Sequence, residues 1–505
     1  MDLIRYNLEK QHIKGKLHAI ERICCILDED SFQEIKSEVS HIEMGLNGKS
    51  FGMEHSITPY DGVITGFGEI QGKRVCIYAQ DFTVMGGSIG ERHGKKIADL
   101  VKMAISCRCP VIGINDSGGA RIHEGMRSLV GTGEMLYYNS MASGYIPQFI
   151  MCAGPCAGGA VYSAALSDFV YVIDDITSMS LTGFRVVKDV LNQKVSNQEL
   201  GGAEVHAAIS GVAHFRHSKE KQSIEHLRGL ISMLPQHNQD RTPLRIIPSP
   251  EKDLRDIGHL LPLFSNRTYE VRRIINRIFD DHSFLEVQES FAANMVVGFA
   301  RLSGCLVGVV ANQPACLSGA IECNASDKAA RFIRFCDAFN IPLMTFTDTP
   351  GFMPGIDEER KGIIRHGAKL VYAYSEATVP KINIILRKAF GGAYIAMSSK
   401  HVGADLVFAW PSAEIAVVGA AGAVEVLFHK QIECLSGMEK EEFKQRKTDE
   451  YLYNFSNPKF AAQAGYVDEI IAPDQTRTTL VRSLKLLQEK DEGNLLNKKH
   501  NCMPL

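Results

Sequence analysis

Two stretches of this chain carry one pattern: 110–117 (PVIGINDS) returns as 342–349 (PLMTFTDT), so Asp116 reappears as Asp348, 232 positions on. Gly66 and Gly298, Lys96 and Lys328, and Pro110 and Pro342 keep that offset, while Gly158-Gly159-Ala160 returns as Gly391-Gly392-Ala393, one position later. A fixed internal period means one arrangement of strands and helices written twice. The 505 residues require the same division, because a single core stops growing at roughly 250 to 300 residues. We place the two domains at 1–255 and 256–505. Residues 236–255, rich in Pro, Asn, Asp and charge and without a period, read as the linker.

The pattern within each half is α/β. Residues 75–79 form an apolar run, Ile97, Ala98, Leu100, Val101, Ala104 and Ile105 mark a helical stripe, and a second apolar run covers 111–114. A further strand at 149–152 leads through Gly154 and Pro155 into Gly158-Gly159, then a small-residue helix to about Leu166 and a strand at 169–173. The second half repeats the order with strands at 307–311, 343–347 and 382–386, a helix over 326–339, and another opening at Gly391-Gly392.

Composition excludes several classes of function. With 45% hydrophobic residues, 22% charged residues and a formal charge of −3, nothing draws the chain in bulk to nucleic acid or an anionic membrane. The first residues mix acids and bases, and no run of about 18 apolar residues appears, which predicts a cytoplasmic protein with no membrane span. Thirteen cysteines, an odd number with many in apolar runs, read as buried reduced thiols. No CxxC pair exists to build a zinc site, so no metal is expected.

The chemistry lies in the glycines. At a helix start the first backbone N–H groups have no intrahelical acceptor and point outward with the positive end of the dipole, and glycine lets a ligand oxygen approach them. Such fixed donors stabilise a developing oxyanion by about 3 to 4 kcal/mol each in an acyl-transfer site. A lone Gly-Gly-Ala can equally serve close helix-to-sheet packing, but two pairs at matched stations favour the anion reading. A third segment, 416–423 (AVVGAAGA), starts as an apolar strand and ends in small residues, offering either further donors or a tight sheet edge. Asp116-Ser117-Gly118-Gly119 superficially matches the surroundings of a serine nucleophile, but its repeat has Thr349-Pro350-Gly351, so no shared nucleophile survives. Gly118, Gly119, Ala120 and Arg121 read better as a loop beside an anionic ligand, with Arg121 either a phosphate contact or a structural ion-pair partner.

Longer strings then resemble a known family. Residues 79–84 (AQDFTV), 86–91 (GGSIGE), 115–122 (NDSGGARI), 154–160 (GPCAGGA) and 210–214 (SGVAH) closely resemble the carboxyltransferase (beta) subunit of propionyl-CoA and acyl-CoA carboxylases. The second half agrees through 311–314 (ANQP), 328–331 (KAAR), 350–355 (PGFMPG), 387–394 (RKAFGGAY), 409–411 (AWP) and the closing 498–500 (KKH). The resemblance implies two crotonase-like ββα-spiral domains, the first on the acyl-CoA side and the second on the carboxybiotin side. It implies carboxyl transfer from N1-carboxybiotin to the α-carbon of an acyl-CoA. By that resemblance Gly158 and Gly159 hold the thioester oxygen and Gly419 and Ala420 hold the biotin ureido oxygen, while Gly391, Gly392, Tyr394 and Ile395 frame the biotin and acyl pocket. No catalytic triad or paired acids are needed, in keeping with their absence from the motifs.

Ile395 stands where propionyl-preferring relatives usually have Asp, so short-chain substrates from acetyl- to butyryl-CoA are expected. Ile20 and His123 also depart from the family's common Arg and Gln. No Met-Lys-Met biotin-attachment hairpin occurs, and Lys102-Met103 lies on a helical stripe. Nor is there a glycine-rich ATP module, so a separate biotin carrier protein and a biotin carboxylase are the implied partners, with a homohexamer as the assembly. Three other readings share some of these features. The first is the CoA-binding alpha subunit of a biotin-dependent sodium-pumping decarboxylase. A biotin-independent crotonase-like hydratase or isomerase and a catalytically silent scaffold complete the set.

Overall fold

The computed structural model describes residues 8–41, 52–53, 56–240, 252–262, 264, 267–490 and 502–504. Residues 241–251 of the expected linker and the closing Lys498-Lys499-His500 lie outside the described residues. The chain divides into two compact units, Met1–Arg241 and Thr242–Leu505. Leu254 and Ile257 already belong to the second unit's core, so the division falls ahead of position 255.

In the first unit the strands are β1 (Gln33–Ile35), β2 (Val63–Ile70), β3 (Lys73–Gln80), β4 (Val111–Ser117), β5 (Gln148–Ala157), β6 (Phe169–Ile173), β7 (Ser178–Ser180) and β8 (Phe215–His217). Their order is β1-β2-β3-β4-β5-β6-β8, with β7 beside β5. β2 and β3 form an antiparallel hairpin, and every pairing from β3 onward is parallel. Parallel neighbours need a crossover, and helices Glu91–Cys107, Met126–Ala142 and Gly159–Leu166 supply the first three. β4 is buried at every position, as a parallel strand covered on both faces must be.

The second unit repeats this plan. Its strands are β9 (Leu285–Val287), β10 (Met295–Leu302), β11 (Cys305–Asn312), β12 (Leu343–Thr349), β13 (Lys381–Phe390), β14 (Leu406–Ala409), β15 (Glu414–Ala416) and β16 (Glu469–Ile470), in the order β16-β14-β13-β12-β11-β10-β9 with β15 beside β13. Helices Cys323–Ala338, Ile363–Glu376 and Gly391–Ala396 make the matching crossovers. This is the ββα-spiral α/β fold in two copies. The first unit carries 27 residues between β1 and β2 where the second has seven between β9 and β10, so the period lengthens ahead of that insertion.

The shared Lys96 and Lys328 prove structural. Each is a buried helix residue whose ammonium caps main-chain carbonyls: Tyr60 and Val63 at 2.9 and 2.5 Å for Lys96, Gln288 and Phe291 at 2.8 and 2.7 Å for Lys328. Buried charge needs such partners. Burial lowers Lys328 to about 7. Among the described residues no helix is long and apolar enough to cross a membrane.

Candidate functional site

In the first unit β5 runs into the turn at Gly158, whose φ of +60 and ψ of −131 suit glycine alone, and helix Gly159–Leu166 follows. β7 pairs alongside, bringing Ser180 opposite Ala157. The Gly158 N–H donates to the Ser180 carbonyl at 3.3 Å, the long end of hydrogen bonding. The N–H groups of Gly159 and Ala160 have no acceptor among the described residues. Of the two donors expected at this turn, Gly159 is therefore free and Gly158 engaged. Gly159 also serves packing, because a Cβ there would lie 2.3 Å from Thr132 Cγ2 on the neighbouring helix. One residue thus combines an open N–H with close helix packing.

The loop at Gly118, Gly119 and Ala120 sits beside this turn. Gly119, at φ +98, places its Cβ position 3.1 Å from the Ala157 carbonyl oxygen, and Gly118 and Ala120 are exposed. Arg121 corrects the ligand-contact reading. Its guanidinium is buried, with Nη1 on Asp61 Oδ1 at 2.5 Å and on Glu124 Oε1 at 2.8 Å. Nε reaches Ser88 Oγ at 3.3 Å, and Nη2 reaches the carbonyls of Ser88 and Asp61 at 2.8 and 3.4 Å. All five N–H donors are spent inside the protein, so Arg121 fixes the loop and none is left for a phosphate.

Behind the loop, next to last in β4, lies Asp116, which is fully buried. Lys16 Nζ lies 2.5 Å and Arg22 Nη1 3.1 Å from its Oδ2, and Arg22 Nε pairs with Glu220 at 2.7 Å. Burial lowers the Lys16 amine below the ordinary lysine value, against the pull of Asp116. The network ties the amino-terminal segment to the strand that carries the 118–120 loop.

In the second unit Gly391, at φ +57, holds the station equivalent to Gly158, but its helix, Gly391–Ala396, is only six residues long. A further row of open donors stands one segment on. After β15, Gly419 caps helix Ala420–Leu427, and the N–H groups of Gly419, Ala420, Ala421 and Gly422 have no acceptor among the described residues. The two segments meet: a Cβ on Gly391 would lie 3.1 Å from the Val417 carbonyl oxygen, and one on Gly419 3.3 Å from Phe390 Cε2. Phe352 lines the same corner, its Cε2 3.6 Å from the Cβ position of Gly392. Tyr394 is half-buried, its hydroxyl unpaired among the described residues and its pKa raised by burial, while Ile395 is 42% exposed. Asp348 closes β12 here, accepting from Arg387 Nε at 3.0 Å and the Lys388 N–H at 3.1 Å. Burial raises the carboxyls of Asp348 and of Glu414, which on β15 stands opposite Lys388 of β13.

Sequence reasoning missed several contributors. Ser180 and Thr132 shape the first corner yet lie in no recognised motif, and Phe352 and Phe390, though inside the 350–355 and 387–394 strings, take no role from them, since each acts through a tertiary contact. Lys16 and Arg22 also went unassigned. Their signal was available: Asp116 and Asp348 share the repeat, but Arg387 maps 233 positions back onto Gly154, so the first unit had to find its cations elsewhere. Among the described residues no group of three or more His, Cys, Asp or Glu side chains is placed to hold a metal ion.

Comparison with known proteins places this geometry in context. The carboxyl transferase domain family matches residues 10–503. The chain is 47% identical over 500 residues to the propionyl-CoA carboxylase carboxyltransferase subunit of Haloferax mediterranei, covering 99% of this chain and 95% of that one. It is 46% identical over 499 residues to the methylmalonyl-CoA decarboxylase subunit alpha of Veillonella parvula, with the same coverage. Among solved structures, the hexameric transcarboxylase 12S core with hydrolysed methylmalonyl-coenzyme A bound superposes with a TM-score of 0.94 at 44% identity, over 99% of this chain and 95% of that one.

Proposed function

The chain belongs to the carboxyl transferase family, and from that premise we propose that it transfers the carboxyl group of carboxybiotin to the α-carbon of a short-chain acyl-CoA, with acetyl-, propionyl- and butyryl-CoA as its range. The observation that carries this reading is the row of unengaged main-chain donors at Gly419 and Ala420, in a corner shared with Gly391 and Gly392. An oxygen that gains charge needs donors fixed in advance and a wall without Cβ atoms, and both are present.

Carboxybiotin supplies the carboxyl group and then the base that takes the α-proton. The chain's own task is electrostatic. The Gly158–Gly159 turn holds the thioester oxygen as enolate charge develops, with the Gly159 N–H free and that of Gly158 available only by giving up its long bond to the Ser180 carbonyl. The Gly419 and Ala420 N–H groups hold the ureido oxygen. Since these donors act on charge that grows toward the transition state, they speed the reaction rather than merely tighten binding. No side-chain acid or base is required at either turn, which separates this reading from a hydratase or isomerase.

The carrier of biotin and the carboxylase that loads it are separate proteins in this reading. The working assembly is a homohexamer, in keeping with the hexameric core named for the transcarboxylase relative, and the reaction takes place in the cytoplasm. The Veillonella relative is named for the opposite direction, and one site serves both directions of a reversible half-reaction. Incubating the purified chain with malonyl- or methylmalonyl-CoA and free biotin tests the proposal without any partner. Decarboxylation should depend on added biotin and stop when avidin sequesters it; turnover of either thioester that is indifferent to biotin would overturn the reading.

A further inference from the structure

Outside these turns, a cavity of about 480 Å³ opens on the first unit, lined by Phe67, Arg74, Met103 and three cysteines, Cys76, Cys107 and Cys109. The end of helix Glu91–Cys107 sorts the three. Arg108 adopts a left-handed conformation, φ 54 and ψ 53, which reverses the chain, so Cys107 stays exposed while Cys109 turns inward and donates its N–H to Ala104. β3 presents Cys76 to the same spot, its N–H bonded to the Pro110 carbonyl at 2.9 Å. The two sulfur atoms lie 3.7 Å apart in hydrogen-bond contact.

We propose that Cys76 and Cys109 form a peroxide-reactive dithiol site that closes to a disulfide, with Cys109 the attacking sulfur and Cys76 the resolving one. The cavity gives a small, uncharged peroxide access to thiols that are otherwise enclosed. A bond of about 2.05 Å requires an approach of under 2 Å from the present separation, and the main chain around both residues is already held by one parallel strand pair, Cys76 facing Val111. The hydrogen bond between the two sulfurs holds Cys109 below the ordinary thiol value against its own burial, with Arg74 adding to the lowering, and holds Cys76 above it, which favours Cys109 as the attacking sulfur. Thiolate character governs reaction with peroxide.

The chemistry balances. The Cys109 thiolate attacks one peroxide oxygen, the O–O bond breaks, and the departing hydroxide takes the proton that Cys109 released, leaving a sulfenic acid and water. The Cys76 sulfur then attacks the Cys109 sulfur, the S–O bond breaks, and the hydroxyl leaves with the Cys76 proton as a second water. Two thiols and one hydrogen peroxide give one disulfide and two waters.

Trypsin suits the test, since cleavage after Arg74, Arg92, Lys102, Arg108 and Arg121 places Cys76, Cys107 and Cys109 on three different peptides. The whole reduced chain is treated with hydrogen peroxide, its remaining thiols blocked with N-ethylmaleimide under denaturant, and the digest read by mass spectrometry. The expected product joins 75–92 to 109–121, leaves Cys107 carrying maleimide, and disappears on treatment with dithiothreitol. In Cys76→Ala the Cys109 sulfenic acid should instead be captured by dimedone. Maleimide on both Cys76 and Cys109 after peroxide, or a link through Cys107, would sink the proposal, and the wild-type map decides this even if the variant does not fold.

Discussion

Asp116 and Asp348 are the next-to-last residues of equivalent strands, yet each is neutralised from a different direction. Arg387 on the adjoining β13 reaches Asp348, whereas Lys16 and Arg22 reach Asp116 from the amino-terminal segment. The counterpart of Arg387 is Gly154, and there the absence of a side chain is obligatory: a Cβ would lie 1.9 Å from Asp116 Oδ1 and 2.6 Å from Lys16 Nζ. One copy carries its cation within the strand pair, while in the other that place is taken by glycine and two cations come from outside the strand pair.

This difference predicts unequal mutational costs. Arg387→Met leaves a buried carboxylate with no cation, a loss of about 3–5 kcal/mol. Lys16→Met leaves Arg22 still paired with Asp116 and should cost clearly less. Gly154→Ala overpacks the first site by at least about 1–3 kcal/mol. Urea unfolding of the three variants checks the order; equal losses for Arg387→Met and Lys16→Met would show that the two cations at Asp116 do not share its charge.

Gly419 has φ −55, a value proline adopts, so Gly419→Pro removes the N–H donor without demanding a new backbone conformation. Biotin-dependent decarboxylation of methylmalonyl-CoA should fall by roughly 10²–10³ in kcat, the effect of losing one oxyanion donor. Gly419→Ala keeps the N–H and meets only the edge of the Phe390 ring at 3.3 Å, so it should retain most of the activity. If the proline variant unfolds at the wild-type urea concentration and turns over at the wild-type rate, the donor at 419 has no catalytic part.

The elements that sequence made legible were those whose signal is local. β4, β12 and the helices after β3 and β11 announced themselves as buried runs and helical stripes, because their burial is periodic along the chain. The short strands β7 and β15 did not, since three residues carry no period, yet they place Ser180 and Val417 against the glycine turns. Arg121 illustrates the other limit. Its sequence context suits a phosphate and an ion pair equally, and only the approach of Asp61 and Ser88, 60 and 33 positions away, decides between them. The glycines were visible as a pattern, but whether each amide is free depends on an acceptor brought by another strand, as with Ser180 and Gly158.

Ile395 lies half open to solvent on the helix that starts at Gly391, an apolar branched side chain at the position where the family resemblance implies a carboxylate for propionyl preference. One methylene of fit is worth only about 1–3 kcal/mol, so kcat/KM for propionyl-CoA should exceed that for acetyl- or butyryl-CoA, each one methylene away, by no more than about a hundredfold. Ile395→Asp should narrow that range by disfavouring the longer apolar chain. A wild-type preference for propionyl-CoA exceeding a hundredfold would contradict the broad assignment.

One buried and one half-buried histidine predict acid sensitivity in the first unit. Burial holds His226, which bonds the Tyr171 hydroxyl at 3.1 Å, down to about 4, with His217 adding to the effect. Burial likewise holds His93 at about 3, with Arg121 contributing. An unfolded histidine titrates near 6.5, so below that pH the unfolded chain gains protons that the folded one refuses, and stability falls as pH drops. The His226 share is lost between about pH 6.5 and 4, with a slope approaching 1.4 kcal/mol per pH unit; that of His93 continues to about 3. Above 6.5 both states are neutral and neither residue contributes a slope. Hydrogen exchange of the β6 and β8 amides measures this directly. In His226→Leu the protection should decline less steeply between pH 6.5 and 4.5 than in the wild type, even though the starting value differs because Tyr171 loses its partner. Parallel declines in the two proteins would mean that His226 is protonated in the folded state and that its burial is relieved by local opening.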